Sequence, residues 1–499
     1  MRKLTQISRN ALLVAFFFLM DKALAFVRAG IISRQYRGEV ALLDTFNAAN
    51  NLPDMLFALI SGGALAMAFI PLLTEYLTQK DRAAAWDLFS RVANLAFVVT
   101  GAAAIAIALF AAPIASRVIA PGFPAEQLTL LAALMRLNLI GTLIFSVSGL
   151  VMASLQANQH FLLPALAPIA YNAGQIFGAI FLVPHFGIYG LVYGVILGAA
   201  LHLLIQVPGL IKFGFRWTPS LNLRNTGLLE ALRLLWPRLL TMGGIQVIFV
   251  LRDNFASRLG QEGAVTALTY GWMLMQVPET VLGTAVATAM LPALAELAAR
   301  GDWKGFAGSM ERGTRALIAL TLPIAAVLAA GIAPLVSAFF DFGATQDALI
   351  TWTARAYLFT LTGYVLQEVA ARAFYARKEP LFPLYAVILR VLLFAAFGAA
   401  AATTFRQIGA PVIALAEISL LLEAIALLTI LSRRVNTPLK VERSVLLGLA
   451  AALVGGSVTY SLALFLPGGA LITALAGMAA GGLLALLIVA SEARQIFHL

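Results

Sequence analysis

Phe69-Ile70-Pro71-Leu72-Leu73-Thr74-Glu75-Tyr76 returns as Met290-Leu291-Pro292-Ala293-Leu294-Ala295-Glu296-Leu297. Each copy closes a long apolar run and leads into a charged stretch bearing a tryptophan, Trp86 or Trp303. A second pair keeps the same spacing: Ala157-Asn158-Gln159-His160-Phe161-Leu162-Leu163-Pro164 matches Ala376-Arg377-Lys378-Glu379-Pro380-Leu381-Phe382-Pro383. The chain is therefore a duplication with a period of about 220 residues, and the architecture has to be read as one unit used twice.

Working outward from these motifs, the chain is almost continuously apolar. Hydrophobic residues make up 61% and charged residues 11%, against about 25% charged in a soluble domain; mean hydropathy is +0.92. A bilayer span needs about 20 apolar residues. That rule predicts about fourteen helices, at 10–33, 46–74, 89–116, 128–154, 161–183, 188–211, 229–257, 264–294, 308–340, 348–374, 381–404, 409–432, 444–466 and 469–490. The expected fold is an all-α polytopic membrane protein. Spans 1–6 form an N-terminal lobe (1–219), spans 7–12 a C-terminal lobe (220–435), and two helices (436–499) stand outside the repeat. Six spans per copy give both copies one orientation, related by a pseudo-two-fold axis along the membrane normal. Two such lobes facing a central cavity are suited to alternating access.

The net charge of +11 would suggest nucleic acid in a soluble protein. Here the bases gather in alternate loops: Lys80, Arg82 and Arg91, then Lys212 and Arg216, then Arg300 and Lys304, then Arg433, Arg434 and Lys440. The intervening loops hold only Arg34, Arg37, Arg117, Arg258 and Arg406. By the positive-inside bias both termini are expected in the cytoplasm, with no nucleic-acid partner. The first apolar run is too long for a cleaved leader and reads as a signal anchor. There is no cysteine, hence no disulfide or thiolate chemistry. The four histidines are scattered, and no phosphate loop, nucleophile elbow or HExxH motif is present. An enzyme is not expected, and no cofactor is called for beyond a sodium ion, a proton or the membrane potential as driving force.

The most informative residues are the charges inside the spans. A charge near the bilayer centre costs about 2.5–3.5 kcal/mol, so such residues face a bundle interior or a water-filled path. Asp21 and Arg28 lie seven apart on one helix face, with Lys22 one position aside. Arg252 and Asp253 lie late in span seven, where an interfacial salt bridge is expected ahead of a cavity, gate or ion-coupling role. Asp44 is expected at an exposed outer edge. Asp54 and Glu279 follow Pro53 and Pro278 in corresponding helices, where a broken helix, a gate or a cation contact is expected. Glu368 and Arg372 are a same-face pair. Arg390, Glu417 and Glu423 share spans eleven and twelve, where the acids either bind a coupling ion or neutralise Arg390. Gly190, Gly194 and Gly198 form a small-residue row for close helix packing.

Several stretches carry a family resemblance. Phe26-Val27-Arg28, Asp44-Thr45-Phe46, Asn51-Leu52-Pro53, Ala68-Phe69-Ile70-Pro71, Ala120-Pro121-Gly122-Phe123, Leu163 to Pro168 with Asn172, and Phe255-Ala256-Ser257 together resemble the MurJ (MviN) lipid II flippases of the MATE-like (MOP) exporter superfamily. The resemblance covers nearly the whole chain, including the two extra C-terminal helices. It implies an inner-membrane transporter for undecaprenyl-pyrophosphate-linked peptidoglycan precursor, active as a monomer and able to meet the peptidoglycan synthesis machinery. It also implies a cationic cavity for the pyrophosphate, which guanidinium and ammonium groups suit, and a groove on helices thirteen and fourteen for the lipid tail. Carried onto this sequence, the matching cavity residues are Arg28, Lys22 and Asp44; beside them Asp21 reads as a counter-charge, and Arg136 and Arg355, which match no family position, as further sources of charge. Phe57 and Met273 stand where the family is basic, Gly62 where it is acidic, and Gln276 where span eight carries a glutamate. Those departures keep three alternatives open: an exporter of another polyprenyl-linked saccharide, a MATE-like ion-coupled antiporter, and a membrane transferase using Asp341 and Asp347.

Overall fold

A computed structural model describes the backbone of residues 6–59, 64–221 and 226–495, and side chains within 16–59, 69–221, 236 and 239–495. Gly62 lies outside the described residues. The described chain is helical throughout. The first half contains α1 (Gln6–Gln35), α2 (Val40–Ala49), α3 (Asn51–Phe57), α4 (Ala64–Gln79), α5 (Arg82–Leu109), α6 (Ala111–Ile114), α7 (Ala125–Ala157), α8 (Leu162–Phe177), α9 (Val183–Phe186), α10 (Tyr189–Leu204) and α11 (Val207–Lys212). There follow α12 (Thr226–Ser257), α13 (Ala264–Glu279), α14 (Ala285–Ala299), α15 (Trp303–Phe339), α16 (Ala344–Ala376), α17 (Leu381–Thr403), α18 (Ala410–Leu415), α19 (Ile418–Arg434), α20 (Glu442–Phe465) and α21 (Ala470–Ala493). Singly or as broken series, these helices fall on all fourteen of the expected spans, with residues 60–63 of the second outside the described residues.

Eleven of the described helices are long and apolar enough to cross a membrane. The eleven do not include α1, the α2–α4 series or α16, which holds Asp347, Arg355, Glu368 and Arg372. By packing the chain forms two compact units, Met1–Val250 and Leu251–Leu499.

Both copies of the duplication are built with the same devices. Phe69 and Leu73 are fully buried in the first unit, and their counterparts Met290 and Leu294 are buried in the second; the four-residue spacing places each pair on one helix face. Asp81 caps α5 by accepting from the Ala84 N–H at 2.7 Å, and Asp302 caps α15 by accepting from Gly305 at 2.8 Å. The second repeat motif is a helix stop. Gln159 and Lys378 adopt φ of +58° and +59°. The next N–H reaches back to Leu155 or Phe374 at 2.9 Å in each case, closing a Schellman turn without glycine.

In the first unit the buried core joins Phe69, Leu73, Trp86, Phe89, Leu150 and Leu155. The segment after α11 is strapped onto α5: Trp86 Nε1 donates to the Phe213 carbonyl at 3.2 Å and Asn94 Nδ2 to Thr218 at 2.9 Å. The glycine row of α10 packs as expected, and its partner is a second row on α8 and the π-helical turn Gly178–Leu182. A methyl group on Gly174 would strike Gly198, and one on Gly178 would strike Gly194.

In the second unit α20 and α21 pack on each other and on α15. Their inner faces are small (Gly448, Gly455, Gly477, Gly481), while Leu446, Leu453, Phe465 and Leu487 point outward and are exposed. Arg315 on α15 fixes both helices, bonding Glu492 at 2.7 Å and Ser444 at 3.3 Å.

Candidate functional sites

In the first unit, α1 lies along α8. Asn172 Nδ2 donates to Asp21 Oδ1 at 2.7 Å, which spends one oxygen of Asp21 on helix pairing. Lys22 Nζ sits 5.4 Å from the Phe18 ring centre, a cation–π distance. Arg28 is half-buried. Among the described residues it makes no hydrogen bond or ion pair, although its charge acts on Asp54 and on the Tyr171 hydroxyl. Arg28, Asp54 and Tyr171 thus form one electrostatic neighbourhood built from α1, α3 and α8. Asp54 is exposed and follows Pro53, whose carbonyl accepts from Thr142 at 3.3 Å.

Phe57 carries an aromatic row into the same neighbourhood. It stacks edge-on with Phe145 at 4.8 Å, and Phe145 with Tyr171 at 4.9 Å and His202 at 5.1 Å. His202 and Ser148 are buried and hydrogen-bonded at 2.5 Å, and Gln206 donates to Ser148. This network escaped the sequence reading because its members lie about fifty residues apart on α7 and α10. Asp44 corrects an expectation: it is 3% exposed. α2 lies against α7 and buries Val40, Leu43, Asp44 and Phe46, so the outer-edge position does not leave the carboxylate in water.

Arg136 and Arg355 share one task. Arg136 Nε donates to the Ala108 carbonyl at 2.9 Å, and Arg355 Nε to Ala329 at 2.8 Å. Each carbonyl precedes a proline by five residues, Pro113 or Pro334. Proline removes the bond to the carbonyl four residues before it, Leu109 or Ala330, and the arginine from the adjacent long helix bonds the carbonyl one position earlier. Arg355 also lies 4.6 Å from the Trp352 ring.

In the second unit, Arg252 Nε bonds Asp253 Oδ1 at 2.8 Å. Both are buried, at 6% and 0% exposed, so the expected salt bridge forms within the protein, and Tyr357 on α16 also bonds Arg252. Glu279 stands at the end of α13, and the helix then widens into a π-helical turn over Thr280–Thr284. The expected break next to Pro278 therefore falls just after the carboxylate. Thr280 and Thr284 hydroxyls donate to Glu279 at 3.2 Å each. Arg372 bridges Glu368 at 3.0 Å and donates to the Thr284 carbonyl at 2.9 Å, holding α16 to that turn.

Arg390, on α17, meets Glu417 at 2.8 Å, Glu423 at 3.9 Å and the Tyr364 hydroxyl at 3.3 Å. Asp347 accepts from the Phe342 N–H at 3.1 Å, and Asp341 takes the left-handed turn position; both belong to the entry into α16. No group of three or more His, Cys, Asp or Glu that could hold a metal ion is present among the described residues.

With this geometry in view, the relatives are decisive. The family model "Lipid II flippase MurJ" matches residues 35–479. The chain belongs to the MurJ family. A lipid II flippase MurJ of Burkholderia cenocepacia is 30% identical over 384 residues, covering 74% of this chain and 73% of that protein. A probable lipid II flippase MurJ of Vibrio cholerae is 28% identical, covering 77% and 75%. The MurJ fold is also the solved fold it matches: a lipid II flippase MurJ in an inward closed conformation superposes with a TM-score of 0.79 at 19% identity, covering 97% of this chain and 100% of the other. A multidrug resistance MATE family transporter of the MOP superfamily superposes at 0.70, with 16% identity and 83% and 94% coverage.

Proposed function

We propose that this chain translocates lipid II, the undecaprenyl-pyrophosphate-linked peptidoglycan precursor, across the bacterial cytoplasmic membrane, with both termini in the cytoplasm. The observation that carries the reading is a MurJ family match over residues 35–479 in a chain whose first membrane helix holds Arg28 near Asp54 but in no hydrogen bond or ion pair among the described residues. A guanidinium without an internal ion pair keeps its fork of donors for a bidentate contact with a diphosphate oxygen pair. Lys22 adds a second positive charge on the same helix, and Asp21, tied to Asn172, tempers it. Transport proceeds by alternating exposure of this cationic site, in a chain arranged as lobes 1–219 and 220–435. The outward apolar faces of α20 and α21, in 436–499, suit a polyprenyl tail that stays in lipid. The chain acts on a lipid-linked substrate, performs no covalent chemistry, and works as a monomer beside the peptidoglycan synthesis machinery.

Phe57 favours a second reading, export of a different polyprenyl-linked saccharide, because a stacked ring replaces a charge there. Growth rescue separates the two. The gene restores growth to a bacterium depleted of its own lipid II flippase, and Arg28→Ala, expressed normally in the membrane, does not. Failure of the unaltered chain at normal expression transfers the assignment to the second reading.

A further inference from the structure

The structure leaves one buried cluster with an uncompensated charge. Arg390, Glu417, Ser419 and Glu423 are 5%, 3%, 0% and 0% exposed. One guanidinium serves two carboxylates. Glu417 takes the short bond at 2.8 Å, and Glu423 is left 3.9 Å from Arg390 Nε. Both oxygens of Glu423 lack a hydrogen-bond partner, as do Ser419 Oγ and Arg390 Nε. Ser419 lies one helical turn before Glu423, on the same face of α19.

The surroundings offer no other neutralising group. From α16, Tyr364 bonds Arg390, Gln367 approaches Glu423 without completing a hydrogen bond, and Tyr357 lies beyond, bonded to Arg252, which is itself paired with Asp253. From α17 the charged neighbour is Arg390, and beside α19 it is Glu417. An ionised carboxylate buried without a donor is strongly disfavoured, and such a group neutralises or gains a partner.

We propose that Glu423 is a proton-binding site, and, resting on the transport reading above, that its proton is the ion exchanged during the cycle. A proton answers each feature of the cluster. It converts an acceptor-only carboxylate into an O–H donor, for which the Ser419 hydroxyl is an acceptor one turn away. It leaves Arg390 and Glu417 as a balanced pair. A metal cation fits less well: hard cations take about six or more oxygen ligands, and the open oxygens here come from Glu423 and Ser419, with a guanidinium donor beside them. Loss of the proton to the aqueous phase leaves Glu423 as a second anion competing with Glu417 for Arg390. α17, which carries Arg390, is thereby drawn toward Glu423 on α19 or toward Glu417 just before it, linking protonation to helix position.

The test is infrared difference spectroscopy of the full chain in lipid vesicles, titrated over pH. The unaltered chain shows the carbonyl stretch of an un-ionised carboxylic acid, and Glu423→Gln, close in shape, loses that band. Ser419→Ala keeps the acid and shifts its frequency, which guards against a folding defect in the first variant. Absence of the band at every pH, or its survival in Glu423→Gln, overturns the site. Removal of the band by sodium at constant pH also overturns it, in favour of a metal cation. In substrate-loaded vesicles the unaltered chain moves protons with substrate, and Glu423→Gln does not. Equal proton movement by both overturns the coupling. Growth rescue by the unaltered chain with no acid band would leave the flippase reading intact and remove the proton.

Discussion

Arg28 and Arg390 are both guanidiniums within membrane helices, and their surroundings give them opposite duties. Arg390 is enclosed by two carboxylates and a tyrosine, so replacing it leaves Glu417 buried without its counter-charge. Arg390→Met is expected to cost about 3–5 kcal/mol of stability, read as a lowered unfolding temperature in detergent. Arg28 has no such bond among the described residues. Arg28→Ala is expected to change stability by less than about 0.5 kcal/mol while removing transport. A large drop in unfolding temperature for Arg28→Ala would mean that the residue serves packing. The sequence reading found both arginines from the cost of charge in a membrane, but spacing alone could not say which acid each would meet. Asp44 shows the limit: its burial depends on how α2 lies against α7, which no local pattern encodes.

Helix termini and close crossings were more legible than side-chain partners. The glycine row on α10 announced a tight contact because a Cβ is missing at every fourth position. The other half, Gly174 and Gly178, was harder to see because it is a single pair, ending where the π-helical turn begins. Gly178→Val forces a branched side chain into the backbone at Gly194. Overpacking of this kind costs about 1–3 kcal/mol, measurable as lost folded yield and lowered thermal stability. At the other π-helical turn, Arg372 holds the Thr284 carbonyl. Arg372→Ala should raise amide hydrogen exchange across residues 280–288 with little change elsewhere; unaltered exchange there would show that the turn is held by its own threonines.

Across the whole molecule, duplication organises the evidence. The length of the apolar runs placed the fourteen spans, and two short motifs about 220 residues apart showed the duplication, since helix caps and stops are encoded locally and were copied with the sequence. The same offset links Arg136 and Ala108 to Arg355 and Ala329, a contact between helices that the sequence concealed. If each arginine covers a carbonyl beside a proline, Arg136→Ala and Arg355→Ala should destabilise to a similar degree. About 1–3 kcal/mol is expected for an exposed backbone acceptor losing a charged donor. The claim for the molecule as a whole is that family membership and the free charge at Arg28 together make a lipid II transporter. The most direct measurement is translocation of labelled lipid II by the purified chain in vesicles, with Arg28→Ala alongside. The unaltered chain should move lipid II across the bilayer, and the variant should be at least about tenfold slower, as expected from losing one charge-assisted contact. No movement by the folded, unaltered chain, or equal rates in both, would contradict it.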